Sequence, residues 1–242
     1  EKSFLMMIMV MEPILHYDAG SGLASGGLLK GIAPGSSITA IKVLDHRGNG
    51  YAADVLMGLR WIREHRKEYG IRIINISVDP YQTEMTENSA LVKGVNAAWD
   101  DGLVVVVAAG NHGPAPGTVT TPGISRKVIT VAVLMMTGGR GGRQPDGGLF
   151  GAGADGRLHL QAGIVAPGSR IVSCNLRRNG TVLKAGVHVY AACRGAAALL
   201  LEQDPDMTNR DVKLRFKERA VDLGLPRNQQ GWGALDIGRL LE

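Results

Sequence analysis

The chain has 242 residues, 45% of them hydrophobic, and a formal net charge of +5. This length and composition suit one α/β domain with a substantial core and exclude an intrinsically disordered chain. Basic and acidic residues are interspersed, so we expect no nucleic-acid partner. No segment reaches the ~20 apolar residues that a membrane helix needs, so we expect no membrane association.

The two cysteines, Cys174 and Cys193, are too few to indicate a disulfide framework. The apolar segment 4–11 follows Lys2 but lacks a clear small-residue cleavage site, and we interpret it as a strand rather than a signal peptide. The small number of cysteines and the lack of a clear signal peptide favour a cytoplasmic location.

Apolar runs alternate along the chain with segments whose apolar residues recur at helical spacing. This order predicts parallel βαβ units with right-handed crossovers, without a domain linker. The predicted strands are 4–11, 38–44, 71–77, 103–108, 128–133 and 171–173. The predicted helices are 52–62, 91–99, 195–202, 208–220 and 235–241.

The last long helix carries the clearest start signal. Thr208 is a predicted N-cap, and Asp211 takes the N3 position that a capping-box Glu would occupy. Val212, Phe216 and Ala220 then follow at the spacing of a core-facing stripe.

The chain is organised around the stretch 103–111, which starts with an apolar run without alternation and ends abruptly at Ala109-Gly110-Asn111-His112-Gly113-Pro114. Such a run predicts a strand buried on both faces, and the carboxyl ends of these strands are where ligands bind in open α/β sheets. The Asn111 amide could donate a hydrogen bond to a developing oxyanion there. The alternative is that Asn111 only caps a turn.

The segment 137–163 is rich in glycine and arginine and has few large apolar residues. Its part 138–143 lacks the Gly-Lys-Ser/Thr ending of a phosphate-binding loop and the strand-to-helix context. We therefore predict a flexible loop.

Ten short segments together resemble the catalytic domain of subtilisin-like serine proteases. They include Ile73-Ile74-Asn75-Ile76-Ser77, the run from Val104 to Pro114, and Val165-Ala166-Pro167-Gly168. The others are Gly31 to Gly35, Ile41 to Asp45, Thr121-Pro122-Gly123, Val128 to Val131, Gly195 to Leu200, Pro205 to Thr208, and Gly231-Trp232-Gly233. The resemblance implies a three-layer α/β fold with a mostly parallel sheet flanked by helices, and peptide-bond hydrolysis by a Ser-His-Asp triad.

The same resemblance predicts that the triad is missing. Counting without gaps places Val10 at the family's His position and Val187 at its Ser position. No Asp-Thr/Ser-Gly segment exists, so we expect that the family's N-terminal Asp-bearing strand is lacking and that a sheet neighbour is left unpaired. Only Asn111, at the oxyanion position, is kept. The substrate-binding strand, Ser-Leu-Gly in the family, is Ser77-Val78-Asp79 in this chain.

Replacement groups are poorly placed. Cys193 lies five residues from His188, which separates the two in angle on a helix, and a buried structural thiol is the expected role. His16 and Asp18 have no partner cluster for a metal, and we predict no cofactor. Arg194 falls on the predicted core helix, where it must reach solvent, find an acid or strain the fold.

Three functions remain open. The first is a catalytically inactive protease scaffold, and the second is a pseudoprotease that binds an extended peptide at a sheet edge or cleft. The third, an active hydrolase completed by another segment or partner, still lacks a nucleophile at Val187. A peptide or protein substrate is the only partner class we expect. Decay, truncation and redesign would each leave this pattern.

Overall fold

A computed structural model describes residues 5–10, 31–45, 47–78, 86–112, 117–134, 149–150, 163–167, 171–175, 180–184 and 189–242. Among these residues, seven strands form one sheet and two more form a hairpin. The sheet contains β1 (Leu5–Val10), β2 (Ser37–Lys42), β3 (Ile71–Ile76), β4 (Val104–Ala108), β5 (Ile129–Leu134), β6 (Leu149–Phe150) and β7 (Ile164–Pro167). The hairpin pairs β8 (Ile171–Asn175) with β9 (Gly180–Lys184) in antiparallel fashion.

The large sheet is parallel except at β6. Its strand order is β2-β1-β3-β4-β5, with β7 parallel and β6 antiparallel to β5. The helices are α1 (Ala52–His65), α2 (Ala90–Asp100), α3 (Val189–Gln203), α4 (Asn209–Arg219), α5 (Arg227–Gln230) and α6 (Ile237–Leu241). The predicted three-layer α/β fold, with a mostly parallel sheet flanked by helices, is confirmed.

The core lies on the central strands. All of β4 is buried, as the unbroken valine run predicts for a strand covered on both faces. Helix α3 packs against β3, β4, β5 and β7, and α1 packs against α2. Burial of these apolar side chains supplies the main driving force for the fold.

The segment predicted as an N-terminal strand is strand β1, and it lies inside the sheet. It pairs in parallel with β2 on one side and with β3 on the other. β1 is therefore a neighbour of both β2 and β3, while the outer side of β2 has no strand partner among the described residues, and the expectation of an unpaired sheet neighbour stays a prediction. The composition of β1 is apolar throughout, without an acidic residue.

The segment 137–163 lies mostly outside the described residues. Only β6 and Gly163 in it are described, and the sequence did not predict that strand. No helix among the residues described is long and apolar enough to span a membrane.

Candidate functional site

Three parallel strands end at one edge of the sheet beside three of the predicted site residues, Val10, Ser77 and Asn111. Met9 of β1 is in register with Ile76 of β3, and Ile76 is in register with Val107 of β4. Val10 and Ser77 therefore follow at the same level, and the bend at Asn111 comes just beyond the end of β4. This is the carboxyl edge of the sheet, where ligands bind in folds of this class.

The Asn111 bend is held by backbone contacts to the next strand and loop. The Ala109 amide donates to the Val131 carbonyl at 2.9 Å, and the Ala109 carbonyl accepts from the Thr120 amide at 3.0 Å. Gly110 has a φ of +96°, and a side chain at this position would collide with the Thr120 hydroxyl. Glycine is thus required at 110, and it turns the chain so that Asn111 is exposed beyond the strand end.

The loop 117–128, which precedes β5, is hydrogen-bonded to both β5 and α2. Thr130 Oγ1 donates to the Gly123 carbonyl at 2.7 Å, and Ser125 Oγ donates to Asn96 Oδ1 at 2.5 Å. These bonds and those of Ala109 fix the chain as far as Gly110, directly before Asn111, and a donor held in place is the first requirement of an oxyanion site. The role of Asn111 as such a donor stays a prediction.

Ser77 and Val78 are both buried at the end of β3. The Ser77 hydroxyl accepts a hydrogen bond of 3.0 Å from the Asn75 side-chain amide, two residues earlier on the same face of the strand. A catalytic serine needs a base in hydrogen-bond contact, and here that contact is taken by an amide. The third predicted substrate-binding residue, Asp79, lies outside the described residues.

The two valines at the family's triad positions differ in what the structure describes. Val10 is the last residue of strand β1 and is in register with Lys42 of β2. The family's His motif, in contrast, lies on a helix. Val187 lies outside the described residues, two positions before α3 begins at Val189. Both assignments rest on ungapped counting and stay predictions.

Where α3 packs on β3, two buried polar groups have no hydrogen-bond partner among the residues that the structure describes. Arg194 is 0% exposed, and none of its three guanidinium nitrogens has a hydrogen-bond partner among the described residues. Asn75 Oδ1 is likewise without a partner in that part of the chain. Burial lowers the pKa of Arg194 to about 9, because water no longer solvates the cation.

Cys193, the neighbour of Arg194, is also fully buried. Burial raises the pKa of its thiol above the usual range, so the reactive thiolate is disfavoured. The interpretation of Cys193 as a buried structural residue is supported by this environment. His188, the residue weighed as its base, lies outside the described residues.

The described residues offer no ready metal centre. Across the described ranges, no group of three or more His, Cys, Asp or Glu side chains is placed to hold a metal ion. Among the described histidines, His65 lies on α1, where its Nδ1 is 2.8 Å from the Trp61 carbonyl oxygen.

The sequence did not predict two features of this edge. One is the Asn75–Ser77 bond, for which the only signal is that residues two apart share a face of a strand. The other is the contact of Thr120 with the space beside Gly110, which depends on how the loop folds back onto β4. The second feature is not visible in a local pattern.

Comparison with known proteins places the chain in a family. Residues 17–233 match the subtilase family. The serine protease AprX of Bacillus subtilis (strain 168) is 32% identical over 219 residues, which cover 82% of this chain and 50% of that protein. A subtilisin of Bacillus sp. (strain TA39) is 30% identical over 213 residues, or 84% of this chain and 50% of the relative. The chain thus spans about half the length of these curated relatives.

Solved structures agree on the fold. Sphericase superposes with a TM-score of 0.79 at 21% identity, covering 96% of this chain and 91% of its own. The S41 psychrophilic protease superposes with a TM-score of 0.70 at 24% identity, covering 85% of this chain and 68% of its own. From the sequence match over residues 17–233 and the shared fold, the chain belongs to the subtilase family of subtilisin-like serine proteases.

Proposed function

We propose that this chain is a subtilase scaffold that does not hydrolyse peptide bonds. One observation carries the proposal: the position counted as the family's nucleophile is Val187, and valine has no nucleophilic atom. Val10 at the counted His position and a β1 without an acid support it. The family reaction needs all three groups.

Asn111, the one family site residue that is kept, contributes too little to restore peptide-bond hydrolysis. In subtilisin, losing the Ser or the His costs about 10⁶ in turnover. One oxyanion donor, also measured in subtilisin, contributes roughly 3–4 kcal/mol. Asn111 alone therefore leaves no useful protease activity.

The proposal is tested with a fluorophosphonate probe and with casein. The purified chain should show no serine labelling and no casein turnover above buffer, whereas an active subtilisin at equal concentration shows both. Labelled serine that is lost in Ser77→Ala, or casein turnover that is lost in Asn111→Leu, would overturn the proposal.

A variant that adds the missing hydroxyl extends this test. Val187→Ser restores a hydroxyl at the counted nucleophile position, but the base and the acid remain absent. We expect the variant to stay inactive towards casein, because the Ser and His act as one unit and either loss alone removes nearly all of the rate. Turnover by this variant would show that a base is present after all.

A second candidate function is a non-catalytic peptide-binding module. The observation that favours it is an open groove beside an edge strand of the sheet, lined by β2 and α1. Extended peptides are commonly bound by adding a strand to such an edge.

A further inference from the structure

We propose that the groove between β2 and α1 binds an extended peptide as an added strand, with apolar side chains facing α1 and a basic residue facing Asp54. This rests on the second candidate function, the peptide-binding module, and gives it a site. The groove runs along the outer side of β2, which β1 separates from β3 and β4, and its end at Asn49, Gly50 and Tyr51 reaches the carboxyl edge of the sheet.

The backbone of β2 provides the template. β2 is the terminal strand of the sheet, paired on one side with β1, and the described residues place no strand on its other side. In such a strand, alternate amide and carbonyl groups point outward and can pair with another chain. Lys42, which would otherwise shield this edge, donates its amine to the Leu44 carbonyl instead.

The groove beside this edge is large and partly apolar. Its volume is about 1030 Å³, enough for several side chains of a bound segment, and Tyr51, Met57 and Trp61 line it. Tyr51 is 80% exposed and Met57 is 63% exposed. Large apolar side chains that gather at one exposed site mark an interaction surface, whereas scattered ones do not.

The α1 wall of the groove is already ordered. The Trp61 ring stacks on His65 with centroids 4.4 Å apart, and Tyr69 lies against Trp61 at 5.6 Å. A preformed wall lowers the ordering cost that a ligand must overcome on binding.

Charge selects the occupant. Asp54 Oδ2 accepts the Tyr51 amide at 3.2 Å, which leaves Oδ1 available to a cation from the ligand. The charged lining residues are Asp45, Asp54 and Lys42, so the groove is formally acidic within a chain of net charge +5. A peptide with a lysine or arginine complements this lining, whereas a second copy would bring another net charge of +5 to the interface.

The experiment measures fluorescence polarisation of the labelled peptide Val-Thr-Val-Lys-Val-Thr-Val with the full chain. We expect saturable binding, at least tenfold weaker binding to Met57→Lys, and no binding of a peptide whose alternate backbone amides are methylated. Leu214→Lys is the matched control, because Leu214 is an exposed apolar residue on α4 outside the groove. It should change the affinity less than twofold, and circular dichroism should confirm that both variants fold.

The charge is tested separately. Asp54→Asn keeps an acceptor for the Tyr51 amide, so it should weaken the lysine peptide about threefold while leaving the same peptide with glutamine unchanged, as an exposed ion pair predicts. An equal loss of affinity for the lysine and the glutamine peptide would contradict the assigned role of Asp54.

Several results would overturn the proposed site. They are no saturation by about 1 mM peptide, equal binding to Met57→Lys, or a concentration-dependent dimer that Met57→Lys abolishes, which would assign the groove to a second copy. Mass spectrometry of the recovered peptide keeps the two proposals apart. Cleaved peptide would refute the catalytic inactivity without touching the groove, and lost binding of intact peptide would refute the groove alone.

Discussion

Two buried polar side chains on neighbouring helices have opposite surroundings. Asn209, at the start of α4, donates to the Trp99 carbonyl at 2.7 Å and to the Leu103 carbonyl at 3.1 Å. Arg194, within α3, is buried more completely and has no partner among the described residues. The amide at α4 joins the end of α2 to the start of β4, whereas the guanidinium at α3 has no hydrogen-bond partner in the part of the chain that the structure describes.

The two side chains show that the polar groups of the outer scaffold and those of the interior next to the site are satisfied to different extents. A buried amide with two acceptors costs little and fixes one packing arrangement. A buried cation without a partner costs several kcal/mol, because the lost hydration is not replaced. The scaffold around α4 is therefore internally consistent, while the α3–β3 interior carries a charge that weakens it.

Removing that charge should have the largest effect. Arg194→Met, which replaces the guanidinium with an apolar side chain, should raise the free energy of unfolding by about 1–4 kcal/mol, as seen when buried ionic groups are replaced by hydrophobic ones. Urea denaturation at pH 7 measures this. Exposed Arg210 on α4 provides the control, since Arg210→Met should shift stability by less than about 0.5 kcal/mol. A destabilised Arg194→Met would show that Arg194 has a partner in the folded protein.

The opposite result is expected at α4. Asn209→Leu leaves the size similar but removes the donor to both carbonyls, so it should lower the free energy of unfolding by about 1–3 kcal/mol. Gln203→Leu is a matched control, because its amide donates to the Leu241 carbonyl at 3.2 Å from an exposed position. If the free energy of unfolding falls equally in both variants, burial does not explain the contribution of the Asn209 hydrogen bonds.

The same comparison explains what the sequence could predict. The Thr208 cap, the buried β4 run and the strand at β1 depend on local patterns, and each is confirmed. The two-residue strand β6, the four-residue strand β7 and the four-residue helix α5 have too few residues to show a period. The place of β1 between β2 and β3 depends on long-range pairing, which no local pattern reveals.

The site was predictable in the same uneven way. The end of the β4 run places Asn111 at the carboxyl edge, and the Ile73-to-Ser77 segment places Ser77 beside it. The ungapped count that reaches Val10 gives no information on local structure, and the position proves to be in a strand. A buried Arg194 was foreseeable from the pattern of α3, but its lack of partners among the described residues was not, since partners come from elements distant in sequence.

A smaller effect is expected at the α4 N-terminus, where local sequence alone makes the contacts. Thr208 Oγ1 accepts the Asp211 amide at 3.2 Å, and the Thr208 amide donates to Asp211 Oδ2 at 2.9 Å. Thr208→Ala should lower the free energy of unfolding by about 1 kcal/mol, and Thr208→Ser, which keeps the hydroxyl, should lower it much less. Thermal or urea unfolding of the pair distinguishes cap loss from loss of the methyl group.

The smallest effect is a pH dependence that belongs to Arg194 alone. Its pKa is lowered to about 9 in the folded chain, so above pH 9 the folded state binds fewer protons at this residue than the unfolded state does. Stability then rises with pH, because the cost of the buried cation is complete below the folded pKa and declines between that value and the ordinary arginine pKa. The stability gained by Arg194→Met should therefore be smaller at pH 9.5 than at pH 7, by less than about 1 kcal/mol. Since Lys213 and the other titrating groups are common to both proteins, their contributions cancel in this difference. A gap that stays constant from pH 7 to 9.5 would mean that the guanidinium keeps its proton and is solvated or paired after all.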